Sequence, residues 1–220
     1  MTGPFAFGRW RGSAAEFHGR SVDDPVSAAV WEFEVAAPAL VIGSAQSDTT
    51  VDRHAAAAAG VEVVRRRSGG GAVLLEPGDV VWFDVVVPAD NLRAAGVADD
   101  IAASMIWLGR RVVAALAKLG IGSEVHDGPM VTTAWSQTVC FDGRGPGEIV
   151  TDAGKLVGIS QRRTRVAARF QCAVHTAWRP ERLVTLLAPP APTLTDLRPV
   201  ATLDPQVAAA LPGLLPTFLH

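Results

Sequence analysis

The stretch "VEVVRRRSGGGAVLL", residues 61–75, joins two apolar runs through three arginines, a serine and three glycines. Valine and leucine on either side give both flanks the composition of strands. A plain turn needs one glycine or two. Three of them after Arg65, Arg66 and Arg67 leave backbone N–H groups uncovered beside concentrated positive charge. Such a loop can receive phosphate or carboxylate oxygens on its N–H groups, and guanidinium forks beside it can neutralise them. The same residues also suit a tight bend carrying solvated arginines, and the stretch alone leaves both open. Two familiar glycine loops fail here. A Walker loop ends in Gly-Lys-Ser/Thr, and a dinucleotide fingerprint opens a helix, whereas this loop runs into strand-like "AVLLEPGDVVWF".

Working outward, "DTTVDRHAAAAAG" upstream predicts an alanine-rich helix closed by Gly60, and "ALVIG" before it a short buried strand. Further upstream, residues 22–37 predict a helix capped by Ser21 or Asp24, with Pro25 in its first turn. Downstream, "VVWFDVVVP" predicts a strand covered on both faces. The segment 97–120 predicts the longest helix, with a buried stripe at Ile101, Met105, Leu108, Val112, Ala115 and Leu119. Strands are expected at "GSEVH", "SQTVCF", "GEIV", "KLVGIS" and "ARFQCAV", with a hairpin turn at "TDAG". "RPERLVTLL" reads as a short helix and "LDPQVAAALPGLL" as a weak one interrupted by Pro212. Strands alternating with single helices, and a hairpin in the second half, indicate one mixed α/β domain spanning 1–220.

Composition narrows the class. With 220 residues, 49% hydrophobic and 19% charged, the chain can build a sizeable core and is not disordered. A net charge of −2 gives no global reason to expect nucleic acid. Basic residues cluster only locally, at Arg65 to Arg67 and at Arg162, Arg163, Arg165 and Arg169. Two cysteines, Cys140 and Cys172, make neither a disulfide framework nor a zinc site, and the five histidines show no metal spacing. No stretch reaches the run of about 18 apolar residues that a membrane span needs, and the N-terminus lacks a signal-peptide core. The expectation is a cytoplasmic protein with no metal site and no membrane partner.

"RRRSGGGAV" resembles the first signature of the lipoate–protein ligase A family, within the wider group of biotin and lipoate protein ligases and octanoyltransferases. "ALVIGSAQ", a helix and "VEVVRRRSGGGAV" follow in the family's order, and "GKLVGISQRR" at 154–163 resembles its second signature. The resemblance covers roughly 38–175. It implies a mixed α+β catalytic domain of the biotin/lipoate ligase type, with a largely antiparallel sheet and flanking helices. It also implies transfer of octanoyl or lipoyl groups to one lysine of a lipoyl domain, in 2-oxoacid dehydrogenase subunits or the glycine cleavage H protein. By position, Arg66, Ser68, Gly69, Gly70, Gly71 and Ala72 would line the acyl and phosphate end of the pocket. Lys155 would face the activated carbonyl, Gly158 would admit the ligand to the strand, and Ser160 stands where relatives carry alanine or serine.

The branch within the family is read from the same residues. "SGGG" is the ligase form of the first signature and implies ATP and Mg²⁺, with lipoate or octanoate activated as an acyl-adenylate. "CFDGRGPGEIVTDAGK" places Cys140 where one octanoyltransferase branch has its nucleophile. The alternative is therefore a Cys140 transferase taking its acyl group from acyl carrier protein or a lipoyl protein, with Lys155 favouring the thiolate. A non-catalytic acyl- or nucleotide-binding protein with the same pocket is the alternative of another class. Two departures from the family stand out: the Asn-Asp pair before the lysine motif is missing, and Cys172 and Ala173 stand near the place of a His-Gly pair.

Overall fold

The computed structural model describes residues 4–22 and 25–219. The chain opens with strand β1 (Ala6–Gly12), helix α1 (Ala14–Gly19), β2 (Ala29–Val35) and β3 (Ala39–Ile42). Then come α2 (Arg53–Ala58), β4 (Glu62–Arg65), β5 (Val73–Leu75), β6 (Val80–Pro88), α3 (Ala89–Ala94) and α4 (Ile101–Lys118). The second half holds β7 (Glu124–Val125), β8 (Ile149–Thr151), β9 (Gly154–Arg163), β10 (Ala167–His175), α5 (Pro180–Thr185) and α6 (Pro205–Leu214).

Seven strands form one sheet in the order β1-β2-β6-β10-β9-β8-β7, antiparallel except for the parallel β1–β2 pair. Three more form a small sheet, β4-β3-β5, in which β3 runs parallel to β4 and antiparallel to β5. The mixed, largely antiparallel architecture expected from the sequence is the one observed.

Residue alternation sends each strand's side chains to two faces. One face of the large sheet, with Phe83, Val85, Val87, Phe170 and Val174, packs on α4 and α6 through Leu108, Val112, Leu116 and Leu211. The opposite face, with Phe33, Trp82 and Ala173, meets Phe17 of α1 and Val41, Val73 and Leu75 of the small sheet. A third cluster, Leu40, Ile42, Leu74, Ala56 and Leu183, closes the far side of the small sheet. A cavity opens between the two sheets.

Several expectations are corrected. The segment expected as a helix over 22–37 contains β2 instead. "AVWEFEV" is rich in β-branched and aromatic residues, and its inward positions Phe33 and Val35 cover the sheet while β1 and β6 supply backbone partners on both edges. Ser21 caps no helix, and Asp24 lies outside the described residues. "SQTVCF" is not a strand; it is a turn ending in the 3-10 segment Cys140–Asp142, with a single isolated bridge, Ala72–Val139, beside the small sheet. In the stripe of α4, Met105, Leu108, Val112 and Ala115 are buried as expected, but Ile101 is exposed and Leu116 joins the core. The helix starts at an Asp100 cap, whose carboxylate accepts from the Ala103 N–H at 3.0 Å.

One irregularity positions the site. Along β8 and β9 the register steps from Ile149 opposite Val157 to Val150 opposite Lys155, so β9 carries one extra residue. That bulge flips the alternation. Leu156 and Val157 both enter the α4 core, and Lys155 lands on the cavity-side face with Gly158, its Cε 3.4 Å from where a Gly158 Cβ would stand.

Leu108 is fully buried at the centre of the α4 face. Leu108→Ala is expected to cost about 2–5 kcal/mol, read as a lower urea midpoint with an unchanged slope.

Candidate active site

The cavity floor is set by the register of three central strands. On its face, Trp82, Ala173 and Gly158 form one row, Asp84, Gln171 and Ser160 the next, and Val86, Arg169 and Arg162 the third. Successive rows therefore run from apolar, through polar, to cationic. The cavity spans about 400 Å³ when the solvent at its open mouth is included. Val73, Leu75, Trp82, Phe141 and Ala173 supply its apolar wall, and His18, Arg66, Ser160 and Gln171 its polar end, with Cys140 at the rim of the Cys140–Asp142 turn.

The glycine loop overhangs this space. Gly70 has φ +99°, and a Cβ on Gly71 would stand 2.7 Å from the Cys140 N, so only glycine allows the close approach. The approach is locked by the Cys140 N–H donating to the Ala72 carbonyl at 2.9 Å and the Ala72 N–H to the Thr138 carbonyl at 2.8 Å. Among the described residues the N–H groups of Gly69, Gly70 and Gly71 have no protein acceptor. Arg66 is buried and folds back over its own loop, with Nη2 donating to the Gly69 and Gly71 carbonyls at 2.8 Å each. No carboxylate pairs with it among the described residues. Arg65 faces away, bound to the Gly43 and Gln46 carbonyls and to Asp48.

Not all the expected residues share one wall. Arg66, Cys140, Gly158 and Ser160 line the cavity. Ser68 stands just behind, its hydroxyl 2.9 Å from Ser160 Oγ and donating to Gln171 Oε1 at 2.8 Å. The glycines and Ala72 form the loop above. Lys155 lies behind Phe141, whose ring centroid is 4.9 Å from Nζ. Its ammonium is buried, paired with Glu148 Oε1 at 2.7 Å, and donates to the carbonyls of Cys140 at 2.8 Å and Gly143 at 3.2 Å. Glu148 in turn accepts from the Ile159 and Gly145 N–H groups. Lys155 and Cys140 thus meet through the cysteine's backbone oxygen. Cys172, by contrast, is fully buried on the α4 side; burial first, then the Asp84 and Glu148 carboxylates, pushes its thiol well above the usual range.

Four site residues carry no motif. Ser13 and Glu16 form a capping box that starts α1, and the helix turns Phe17 and His18 inward. The His18 ring stacks on Trp82 at 4.4 Å, and its Nδ1 lies 3.0 Å from Gln171 Nε2. Arg169 pins the end of α1 by donating to the Phe17 and Arg20 carbonyls at 2.7 Å, while its Nε meets Asp84 Oδ2 at 2.5 Å. Burial pushes the Asp84 carboxyl up, opposed by Arg169. The Ser-x-x-Glu spacing was the one sequence signal that could have located this helix.

The family model for the lipoyl protein ligase A/B catalytic domain matches residues 20–215. The chain belongs to that family. Its members are catalytic domains, and the chain is an enzyme of the lipoate–protein ligase and octanoyltransferase class. A comparison with curated protein sequences gives no match. Among solved structures, lipoate-protein ligase A bound with ATP superposes with a TM-score of 0.69 at 19% identity, over 100% of this chain and 86% of that one. Protein Ta0514 of T. acidophilum with bound lipoic acid gives 0.67 at 20% identity, over 100% and 87%. The bi-partite lipoate protein ligase of Thermoplasma acidophilum gives 0.67 at 17%, over 99% and 84%. At these identities the likeness establishes the fold. No described helix is long and apolar enough to cross a membrane.

Two predictions follow from buried charge. Burial, reinforced by Arg66 and Arg169, pulls the His18 pKa from 6.5 to about 3; burial also pulls His175 to about 4, with Lys155 adding and Asp79 opposing. The unfolded chain therefore binds more protons below the ordinary histidine pKa. Stability is full above about pH 6.5 and falls as the pH drops toward 4, by up to about 1.4 kcal/mol per pH unit for each imidazole. Urea unfolding across that window should be flatter in the His18→Gln/His175→Gln variant than in the wild type. Separately, Lys155→Ala strands Glu148 in the interior and should cost about 3–5 kcal/mol; an unfolding free energy within error of wild type would show that Glu148 finds another cation.

Proposed function

We propose that the chain, acting as one catalytic unit, attaches an octanoyl or lipoyl group to a lysine of a lipoyl-domain protein through an acyl-adenylate. The observation that carries this reading is the polarity gradient of the cavity. Its apolar end suits an alkyl chain, and its polar end meets a buried guanidinium that has no carboxylate of its own among the described residues. Beyond it, Arg67 crowds Arg162, a concentration of positive charge suited to phosphate. The bound lipoic acid and bound ATP in two structural relatives, and the lipoyl domain paired with a third, support the same reading.

In this scheme an oxygen of the acyl carboxylate attacks the α-phosphorus of ATP and pyrophosphate leaves. The acceptor lysine amine, having lost its proton, then attacks the acyl carbonyl; an amide forms and AMP departs. Arg66 and the N–H groups of the glycine loop would steady the anionic oxygens. Lys155 would act from behind Phe141, on the side of the Cys140–Asp142 turn. No group of three or more His, Cys, Asp or Glu side chains among the described residues converges to hold a metal. Glu148 is occupied by Lys155 and two backbone N–H groups and is not free to ligate Mg²⁺.

A second reading rests on Cys140 lining the cavity. Its thiolate would attack the thioester carbonyl of an octanoyl carrier and release the carrier thiol. The acceptor lysine would then take the acyl group and restore the cysteine. The acyl carrier protein or a lipoyl protein would be the donor.

Intact mass of an apo lipoyl domain, incubated with the protein, octanoate, Mg²⁺ and ATP, separates the readings. The ligase reading expects an octanoyl mass gain that needs ATP and survives Cys140→Ala. A gain only from octanoyl carrier protein, lost in Cys140→Ala, establishes the transferase instead. Ligand-induced thermal stabilisation with no acceptor modified under either condition would leave a binding protein. In either enzyme, Arg66→Ala should weaken apparent donor affinity at least tenfold, about 1.4 kcal/mol.

A further inference from the structure

We propose that His18 contacts the substrate: its Nε2–H donates a hydrogen bond to an oxygen of the acyl head group, across the cavity from Arg66. The proposal rests on the acyl-cavity reading above and deepens it. His18 stands two residues before the stretch that the family model matches, 20–215, so it comes from the structure and not from the motifs.

The hydrogen-bond network assigns the tautomer. Gln171 Oε1 accepts from Ser68 Oγ at 2.8 Å. Its amide NH₂ therefore faces the other way, toward His18 Nδ1 at 3.0 Å. The oxygen end of the amide is thus held by the Ser68 hydroxyl, which leaves the N–H end for the imidazole. Nδ1 is then an acceptor, and the proton of the neutral ring sits on Nε2. Burial and the nearby cations Arg66 and Arg169 keep the ring neutral.

Nε2 is buried and has no partner among the described residues, although the residue is only 8% exposed. The stack on Trp82 and the bond to Gln171 account for the ring and for Nδ1; neither accounts for Nε2. A buried donor left unpaired is destabilising, and a ligand oxygen entering the adjoining cavity would relieve it. His18 is also held rigidly enough to act as a fixed donor. The capping box starts its helix, Arg169 ties off the helix end, and Asp84 neutralises Arg169. The oxygen can belong to a free carboxylate or to a thioester carbonyl, since both accept.

The test is a calorimetric titration of wild type and His18→Phe with octanoate. In the Cys140→Ala background, both are also titrated with S-octanoyl-N-acetylcysteamine. Phenylalanine keeps an aromatic ring on Trp82 and removes the N–H. The expected result is affinity weakened about tenfold or more for the head group that His18 meets, free acid or thioester. Equal affinities for both ligands, with wild-type binding intact, would overturn the role of His18 and leave the acyl reading standing. No binding of either ligand by wild type would overturn both. Should His18→Phe fail to fold, ¹⁵N-histidine spectra of the wild type decide. A pyrrole-type Nε2 that shifts on adding octanoate or the thioester supports the contact, and a pyridine-type or unmoved Nε2 sinks it.

Discussion

Sliding β10 by one residue against β6 and β9 would turn Phe170, Cys172 and Val174 into the cavity and bury Arg169, Gln171 and Ala173 against α4. Because the side-chain period of a strand is two, no partial slip is possible. The register from Ala167 opposite Pro88 to His175 opposite Val80 is thus the constraint on which the rest depends. It aligns Trp82 with Ala173 and Asp84 with Gln171, and through β9 adds Gly158 and Ser160 to the same rows. The order apolar, polar, cationic is a consequence of pairing. The nine-residue β6–β10 ladder specifies it strongly, because the opposite face is a closed hydrophobic core.

Within that frame the buried charges are arranged in pairs that hold segments of the chain rather than in isolation. Asp84 and Arg169 lie in adjacent rows, and Arg169 directs Nη1 and Nη2 to the carbonyls that end α1. Lys155 and Glu148 do the same for the Cys140–Asp142 turn, through the carbonyls of Cys140 and Gly143. Buried ion pairs add little stability beyond what apolar residues of equal volume would give, but losing one partner is costly. Their value here is positional: one pair fixes the helix that carries His18, and the other fixes the turn that carries Cys140.

The parts legible in the sequence were those whose residues are contiguous. The glycine loop, "GKLVGIS" and the strands β3 to β6 stand where expected because composition and turn residues are local signals. The face of Lys155 was not legible, since the bulge at Leu156 depends on how β8 pairs with β9. β2 was misread because Pro25 and the preceding acids imitate a helix start, while the alternation of "AVWEFEV" gains meaning only between two partner strands. The network of His18, Ser68, Ser160 and Gln171 gathers four distant segments, and nothing short of the folded register brings them together. Only the Ser13–Glu16 capping box, which founds the helix of His18, was written locally.

The position of Lys155 bears on how the site would work. All three of its protons are engaged, one by a carboxylate and two by backbone carbonyls. A carbonyl is a weaker acceptor than an anionic oxygen. An acyl head group carrying negative charge could therefore displace the Cys140 or Gly143 carbonyl without breaking the pair with Glu148. Phe141 stands in the way, its ring packed on Gly158 and its edge against His175. Because Cys140 and Phe141 are adjacent in one short turn, any shift that moves the ring aside also moves the thiol at the cavity rim. The lysine and cysteine are thereby coupled through the turn between them, and a substituent that jams Phe141 would immobilise both at once.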